Sequence, residues 1–339
     1  MDMVQDQNLR VLLARRPTGA PTPEDFSIVS DAVSAPAPGE VLVQNLFLSL
    51  DPYMRGRMND AKSYVAPIQI GEVMGGGAVG RVIRSESPDF AQGDIVEGLL
   101  GWQQFAVAKA KLLRKIDPTL APMSTALGVL GMPGLTAYFG LLDLGKPVPT
   151  DTVVVSAASG AVGSLVGQIA KRLGCRTVGV VGTADKAQYI TDELGYDAAI
   201  NYRTAGNLRK EIRAAAPDGV NVYFDNVGGP VTDAVFENLA QRARIVICGQ
   251  ISQYNSTEQE LGPRNLSRIL VTRSRIEGFI VFDYADRYPQ GLKDLSGWLA
   301  NGEIKYKEDI VKGLENAPAA FIGLLEGKNF GKLLVHIAD

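Results

Sequence analysis

The chain has 339 residues, with 34 basic against 37 acidic side chains, a formal charge of −3, 46% hydrophobic residues and 21% charged ones. That length exceeds one ordinary core and predicts two domains, and the balance is that of a folded globular enzyme, not of a disordered chain. With no basic block, the chain lacks the electrostatic footprint of a nucleic-acid binder.

One histidine, His336, and two cysteines, Cys175 and Cys248, argue against a structural zinc and against a disulfide framework. His336 lies in the apolar run Leu333 to Ile337 and reads as a strand residue, not a catalytic base. Both cysteines read as small apolar residues. Met1 to Arg10 holds no apolar segment, so no signal peptide is expected. Thr119 to Leu142 is broken by Pro122 and Pro133, and Thr152 to Ala170 carries several Ser and Gly residues, so neither reads as a membrane span. The expected location is cytoplasmic.

Residues 1–125 set short β-type runs between turn signals: Leu9 to Ala14, Val41 to Leu48, Ala78 to Ile83, Asp94 to Leu99 and Trp102 to Val107. They predict a small, mostly β, barrel-like domain. Gly75-Gly76-Gly77 reads as a bend within it, because no Lys-Ser/Thr follows to make a phosphate loop. A helical stretch starts near Thr125, interrupted at Gly131-Met132-Pro133-Gly134. From Asp151 strands alternate with helices, the pattern of a parallel sheet covered on both faces. The expected strands are Thr152–Ser156, Thr177–Val181, Ala198–Tyr202, Val220–Asn226, Ala243–Gly249 and Ile276–Val281, which together predict an α/β, doubly wound Rossmann domain. Gln250 to Arg275, polar and then amphipathic, reads as a lid or pocket wall. A short helix, Pro318–Leu325, and a strand, Lys332–Ile337, are expected to return to the first domain. The expected division is 1–125 with 310–339 for the β domain, and 126–309 for the nucleotide domain.

Val153-Val154-Val155 runs into Ser156-Ala157-Ala158-Ser159-Gly160-Ala161-Val162-Gly163. Against the dinucleotide pattern, Ala158 takes the first glycine's place, and Gly160 and Gly163 the second and third. Gly160 lets backbone amides approach a pyrophosphate seated on the helix N-terminus. Val162, Leu165, Val166, Ile169 and Leu173 form an apolar face at helical spacing, and Gly163 and Gly167 let that helix lie close to the sheet. The next strand ends in Gly182-Thr183, without the carboxylate that bonds an NAD ribose, and Lys186 follows to attract a 2′-phosphate. Asp185 reads as a cap of the helix that begins there. Tyr202 and Arg203 end the third strand and close the same pocket. The expected cofactor is NADP, not NAD.

Several further stretches carry a resemblance. They are Leu50-Asp51-Pro52-Tyr53-Met54-Arg55, Gly131 to Tyr138, Phe224-Asp225-Asn226-Val227-Gly228-Gly229 and Cys248 to Asn255. With the glycine turn, they resemble the prostaglandin reductase and alkenal double-bond reductase family, the zinc-independent branch of the medium-chain dehydrogenase/reductase superfamily. The ending, Gly313 to Pro318 and Gly327 to Lys332, is similar to bacterial NADPH-dependent curcumin reductases. The resemblance implies that Gly160, Ala161, Val162 and Gly163 hold the pyrophosphate and that Lys186 and Tyr202 recognise the 2′-phosphate. It implies that Asn226, the run Cys248, Gly249, Gln250, Ile251, Ser252, Gln253 and Tyr254, the strand Phe279, Ile280 and Val281, and Asn329 line the nicotinamide and its ribose. It also implies a GroES-like β domain, Tyr53 as a substrate-pocket wall, and a homodimer joined near Ile276 to Val281. In zinc-dependent relatives a His-Glu pair lies near the position of Gly76-Gly77, and this chain has none there.

Lacking a zinc ligand set, the sequence points to conjugate reduction: hydride goes from NADPH to the β-carbon of an α,β-unsaturated ketone or aldehyde. Charge then gathers on the carbonyl oxygen and calls for a donor. Tyr254 is the candidate, since a tyrosine hydroxyl is protonated at neutral pH. Quinone reduction, allylic alcohol oxidation and a non-catalytic NADPH-binding role are the competing readings.

Overall fold

The computed structural model describes residues 7–339; residues 1–6 of the Met1 to Arg10 segment lie outside it. The chain divides into two compact units. One holds the residues up to Leu127, Glu308–Asn329 and Leu333–Asp339; the other holds Gly128–Lys307 and Phe330–Lys332.

In the first unit, β1 (Gln7–Leu13) and β2 (Phe26–Ala32) form an antiparallel pair. Strands β3 (Glu40–Ser49), β4 (Ala78–Ser85), β5 (Ile95–Gly98), β6 (Phe105–Lys109) and β7 (Arg114–Ile116) join antiparallel around β3 and β4. Val43, Leu48, Met54 and Trp102 are buried in one cluster. There the Trp102 ring stacks on Phe26 at 5.8 Å and meets Phe321 edge-on at 5.6 Å. Gly76 stands against it: an added Cβ would lie 3.0 Å from Met54 and 3.1 Å from Trp102. The glycine run is the irregular stretch that leads into β4, without the bend its sequence suggests.

The second unit is built on six parallel strands: β8 (Thr152–Ser156), β9 (Arg176–Val181), β10 (Ala198–Asn201), β11 (Val220–Asp225), β12 (Leu239–Ile247) and β13 (Arg275–Gly278). Their order is β10-β9-β8-β11-β12-β13, so the order in which strands are added reverses between β8 and β11. That reversal opens a crevice beyond the strands' carboxyl ends, where open α/β sheets take their ligands. Val153, Val154 and Val155 are wholly buried, as a central parallel strand covered on both faces requires.

Two readings are corrected here. The expected strand Ile276–Val281 stops at Gly278, and a short 3₁₀ stretch begins at Val281. Gly131 to Gly134 does not interrupt a helix but starts one, Met132–Phe139, with Gly131 at the N-cap and Pro133 in the first turn, where its missing N–H costs nothing.

The last two strands are β14 (Glu308–Lys312) and β15 (Lys332–His336), and β15 pairs antiparallel with β3 through Leu334 and Ser49. His336 is its last residue, its ring 5.0 Å from Phe47. No helix among the described residues is long and apolar enough to cross a membrane.

Candidate active site

The glycine turn after β8 depends on one unusual backbone angle and two absent side chains. Ala157 is left-handed, φ +51°, a conformation uncommon outside glycine. A Cβ on Gly163 would stand 2.4 Å from the Ala157 carbonyl oxygen and 2.9 Å from the Ala158 Cα, so only glycine lets the helix Gly163–Arg172 begin this close to the strand. A Cβ on Gly160 would lie 3.2 Å from the same oxygen. Gly160 also bridges Gly331, whose φ of +82° and crowding against the Lys307 carbonyl exclude a side chain. Val162 stands at the N-cap and no side chain caps the helix. The amides of Ser164 and Leu165 are met by the carbonyls of Gly160 and Val162, and the positive end of the helix favours an anion. What a side chain on Gly167 would meet first is Tyr196, which adds a second reason for that glycine.

Beyond β9, Gly182 faces Tyr202 and Arg203. A Cβ there would lie 3.3 Å from the Tyr202 ring and 3.5 Å from the Arg203 Nε. The Tyr202 amide donates to Val181 at 3.0 Å, which ties the end of β10 to the end of β9. Arg203 donates to the Tyr202 hydroxyl at 3.3 Å. The helix Ala184–Asp192 has Thr183 at its N-cap, with the extended backbone that position takes, and Asp185 sits in the first turn. The expectation that Asp185 is the cap is therefore corrected. Lys186 is half-buried in the same turn. The Thr183 hydroxyl oxygen is buried beside the Asp185 carboxyl, whose pKa it lowers by hydrogen bonding. A glycine cradle and two nearby cations fit the phosphates of NADP.

The carboxyl ends of β12 and β13 frame a cavity of about 470 Å³, lined by Cys248, Gly249, Gln250, Tyr254, Phe279 and Ile280, with Asp283 at its side. Ile251, Ser252 and Gln253 do not line it; they form the 3₁₀ turn that carries Tyr254 back toward Gln250. Val281 is in the hydrophobic core, 7% exposed. Asn226 is held from both sides of Ser156: its amide donates to the hydroxyl and its side chain to the carbonyl, each at 2.8 Å.

The Tyr254 hydroxyl accepts the Gln250 amide at 3.3 Å. Burial raises its pKa above the ordinary tyrosine value, against a smaller opposing effect of that amide. The Cys248 thiol is pushed up to about 12, by burial first and then by Asp225. Asp225 and Asp283 escaped sequence reasoning. For Asp225 a signal existed, an acid closing its strand directly after the apolar run Val222-Tyr223-Phe224.

Tyr53 and Asn329 belong to the first unit. Tyr53 precedes the short helix Met54–Arg57 and packs on the Trp102 cluster, where burial raises its pKa. Asn329 ends the segment Glu308–Asn329. Among the described residues, no group of three or more His, Cys, Asp or Glu side chains is placed to hold a metal ion.

A parallel sheet in this order, with a glycine turn past its first strand and cations past its second, defines an NADP-binding oxidoreductase of the medium-chain dehydrogenase/reductase type. Residues 10–116 match the family model described as the N-terminal domain of oxidoreductase, and residues 161–297 that described as zinc-binding dehydrogenase. The chain is 51% identical over 332 residues to the putative NADP-dependent oxidoreductase YfmJ of Bacillus subtilis (strain 168), covering 97% of this chain and 98% of that one. It is 46% identical over 343 residues to the NADPH-dependent curcumin reductase of Escherichia coli (strain K12), covering 100% and 99%. The crystal structure of CurA from Vibrio vulnificus in complex with NADPH superposes with a TM-score of 0.93 at 47% identity, covering 98% and 99%. The chain belongs to the prostaglandin reductase and alkenal double-bond reductase family.

Proposed function

We propose that this protein reduces the carbon–carbon double bond of α,β-unsaturated ketones and aldehydes at the expense of NADPH. The observation that carries the reading is Tyr254: it lines the cavity with Cys248, Gln250 and Phe279, and its oxygen already accepts the Gln250 amide. The likeness to a curcumin reductase and to CurA with NADPH supports the same chemistry.

When bound, NADPH supplies the hydride. The chain's residues do the rest. Gly160, Ala161, Val162 and Gly163 seat the pyrophosphate, and Lys186 and Tyr202, with Arg203 beside them, read the 2′-phosphate. Asn226, the run Cys248 to Tyr254, Phe279 and Ile280 orient the nicotinamide and its ribose, with Val281 packed in the core; the family resemblance assigns Asn329, in the β unit, to the same ligand. As negative charge grows on the substrate's carbonyl oxygen, the Tyr254 hydroxyl donates a hydrogen bond to it, and a proton from solvent on the α-carbon completes the saturated product. A donor aimed at the developing charge stabilises the transition state more than the ground state. Burial keeps that hydroxyl protonated at neutral pH. The parallel-sheet unit binds the cofactor, and Tyr53, in the β unit, keeps the substrate-side role that the family resemblance implies.

The protein works in the cytoplasm as a homodimer, joined through the outermost strand β13, where Ile276 is 45% exposed. The deciding experiment follows NADPH absorbance with a panel of enones and alkenals of graded size, and again with NADH. Consumption of NADPH by the unsaturated carbonyls is expected. Turnover of quinones alone, or of nothing, would overturn the reading.

A further inference from the structure

We propose that Asp225 is a positioning residue: its buried carboxylate holds the Gln250 side chain and thereby sets the Tyr254 hydroxyl as a donor. The proposal rests on the role given to Tyr254 above. Asp225 ends β11 and is completely buried. Six donors meet its carboxylate, and all are neutral. Oδ1 accepts the Ser156 hydroxyl at 3.1 Å, the Tyr223 hydroxyl at 2.9 Å and the amides of Val227 and Gly228 at 2.9 Å each. Oδ2 accepts the Thr232 hydroxyl at 2.7 Å and the Gln250 side-chain amide at 3.0 Å.

The two oxygens therefore have different work. Oδ1 shapes the turn after β11, whereas Oδ2 reaches across to the loop after β12. The Asp225 carbonyl reaches the same loop, accepting the amides of Cys248 and Gly249 at 2.8 and 3.0 Å. Gln250 is also fixed from behind, since its side chain donates to the Gly249 carbonyl at 2.9 Å. Gly228 leaves it room: φ there is +76°, and a Cβ would stand 2.2 Å from the Gln250 Oε1. Held this way, Gln250 turns its backbone N–H to the Tyr254 hydroxyl oxygen. A hydroxyl whose oxygen already accepts a bond keeps its proton for an acceptor inside the cavity. A carboxylate saturated with donors resists displacement, because each donor released inside the protein loses its partner.

Asp225→Asn separates the two roles. The asparagine oxygen still serves the four donors at the Oδ1 position, while its NH₂ opposes the Gln250 amide. Gln250 accepts from that group only by flipping, which brings its own oxygen against the Gly249 carbonyl. Gln250→Met cuts the same link without touching the carboxylate.

The test begins with amide hydrogen exchange on the cofactor-free protein. Both variants should speed exchange at the Gln250 amide about tenfold, with Val154 and Phe224 as protected as before. Turnover of an enone with NADPH should fall about tenfold in each variant, and should fall no further when either is added to Tyr254→Phe. A purely structural carboxylate would lower turnover by the same factor in both backgrounds. Unchanged exchange at Gln250, or additive losses, would overturn the proposal. If the protein turns over no enone, the exchange result still decides the Asp225–Gln250–Tyr254 link, and the failure belongs to the proposed reaction.

Discussion

The Tyr196 hydroxyl donates to the Gly163 carbonyl at 2.6 Å, at the first residue of the helix that follows the glycine turn. The Tyr196 ring then lies so close to Gly167 that a Cβ there would stand 1.9 Å from its Cζ. One buried tyrosine thus fixes the start of the helix and demands a glycine one turn on. Gly167→Ala should destabilise the protein by about 1–3 kcal/mol, the usual cost of overpacking, and weaken NADPH binding as the turn shifts. Urea unfolding and a fluorescence titration with NADPH check both effects; an unmoved midpoint would show that the ring yields freely.

Tyr254→Phe removes the donor and leaves the cavity wall. NADPH affinity should stay within a factor of about three, because no phosphate contact is touched, while enone turnover falls about 10²-fold, the scale of one lost oxyanion donor. Equal turnover in the two proteins would place the donor elsewhere.

Which parts of this design were legible in the sequence follows from their physics. The central strands were, because Val153-Val154-Val155 is buried on both faces and reads as an unbroken β-branched run. The strands β2 and β14 were not, because they bury too few side chains to show an apolar face, nor was β7, which is only three residues long. Phe279 to Val281 misled for a different reason. Those residues are apolar because Phe279 packs edge-on against Phe224, 6.4 Å away, and Val281 enters the core, and a packed turn has the same composition as a strand. The glycine turn and Lys186 were visible because local spacing encodes them. The work of Asp225 was not, since its donors come from segments as far apart as Ser156 and Gln250.

Removing the Lys186 ammonium should discriminate between the two nicotinamide cofactors. A charge-assisted bond contributes about 1.5–3 kcal/mol, so Lys186→Ala is expected to raise the Kd for NADPH roughly ten- to a hundredfold and that for NADH hardly at all. Isothermal titration with each cofactor reads this directly. Equal losses would mean that the lysine supports the fold and does not read the 2′-phosphate.

If β13 joins two copies edge to edge, a lysine at its exposed apolar position should oppose the pairing, the device by which natural sheet edges stay single. Ile276→Lys is expected to give monomers by sedimentation velocity where the parent gives dimers, and to leave the urea midpoint of the separate chain little changed. A dimer that survives the substitution would move the interface elsewhere.

Cys248 lines the cavity proposed to take unsaturated carbonyls, yet burial pushes its thiol up to about 12. A neutral thiol is a poor nucleophile, so the protein should not be alkylated by its own enone substrate at neutral pH, and mass spectrometry after incubation should find Cys248 unmodified. The same shift makes a stability prediction. Below about pH 9 the thiol is protonated in the folded and unfolded chains alike, and its contribution is fully present. From there to about pH 12 the unfolded chain ionises while the folded one does not, so stability is lost as pH rises through that window. Cys248→Ala should therefore flatten the fall in urea midpoint between about pH 8 and about pH 10.5. Parallel curves for the two proteins would show that the thiol ionises as readily folded as unfolded, and rapid adduct formation at Cys248 would say the same of the neutral range.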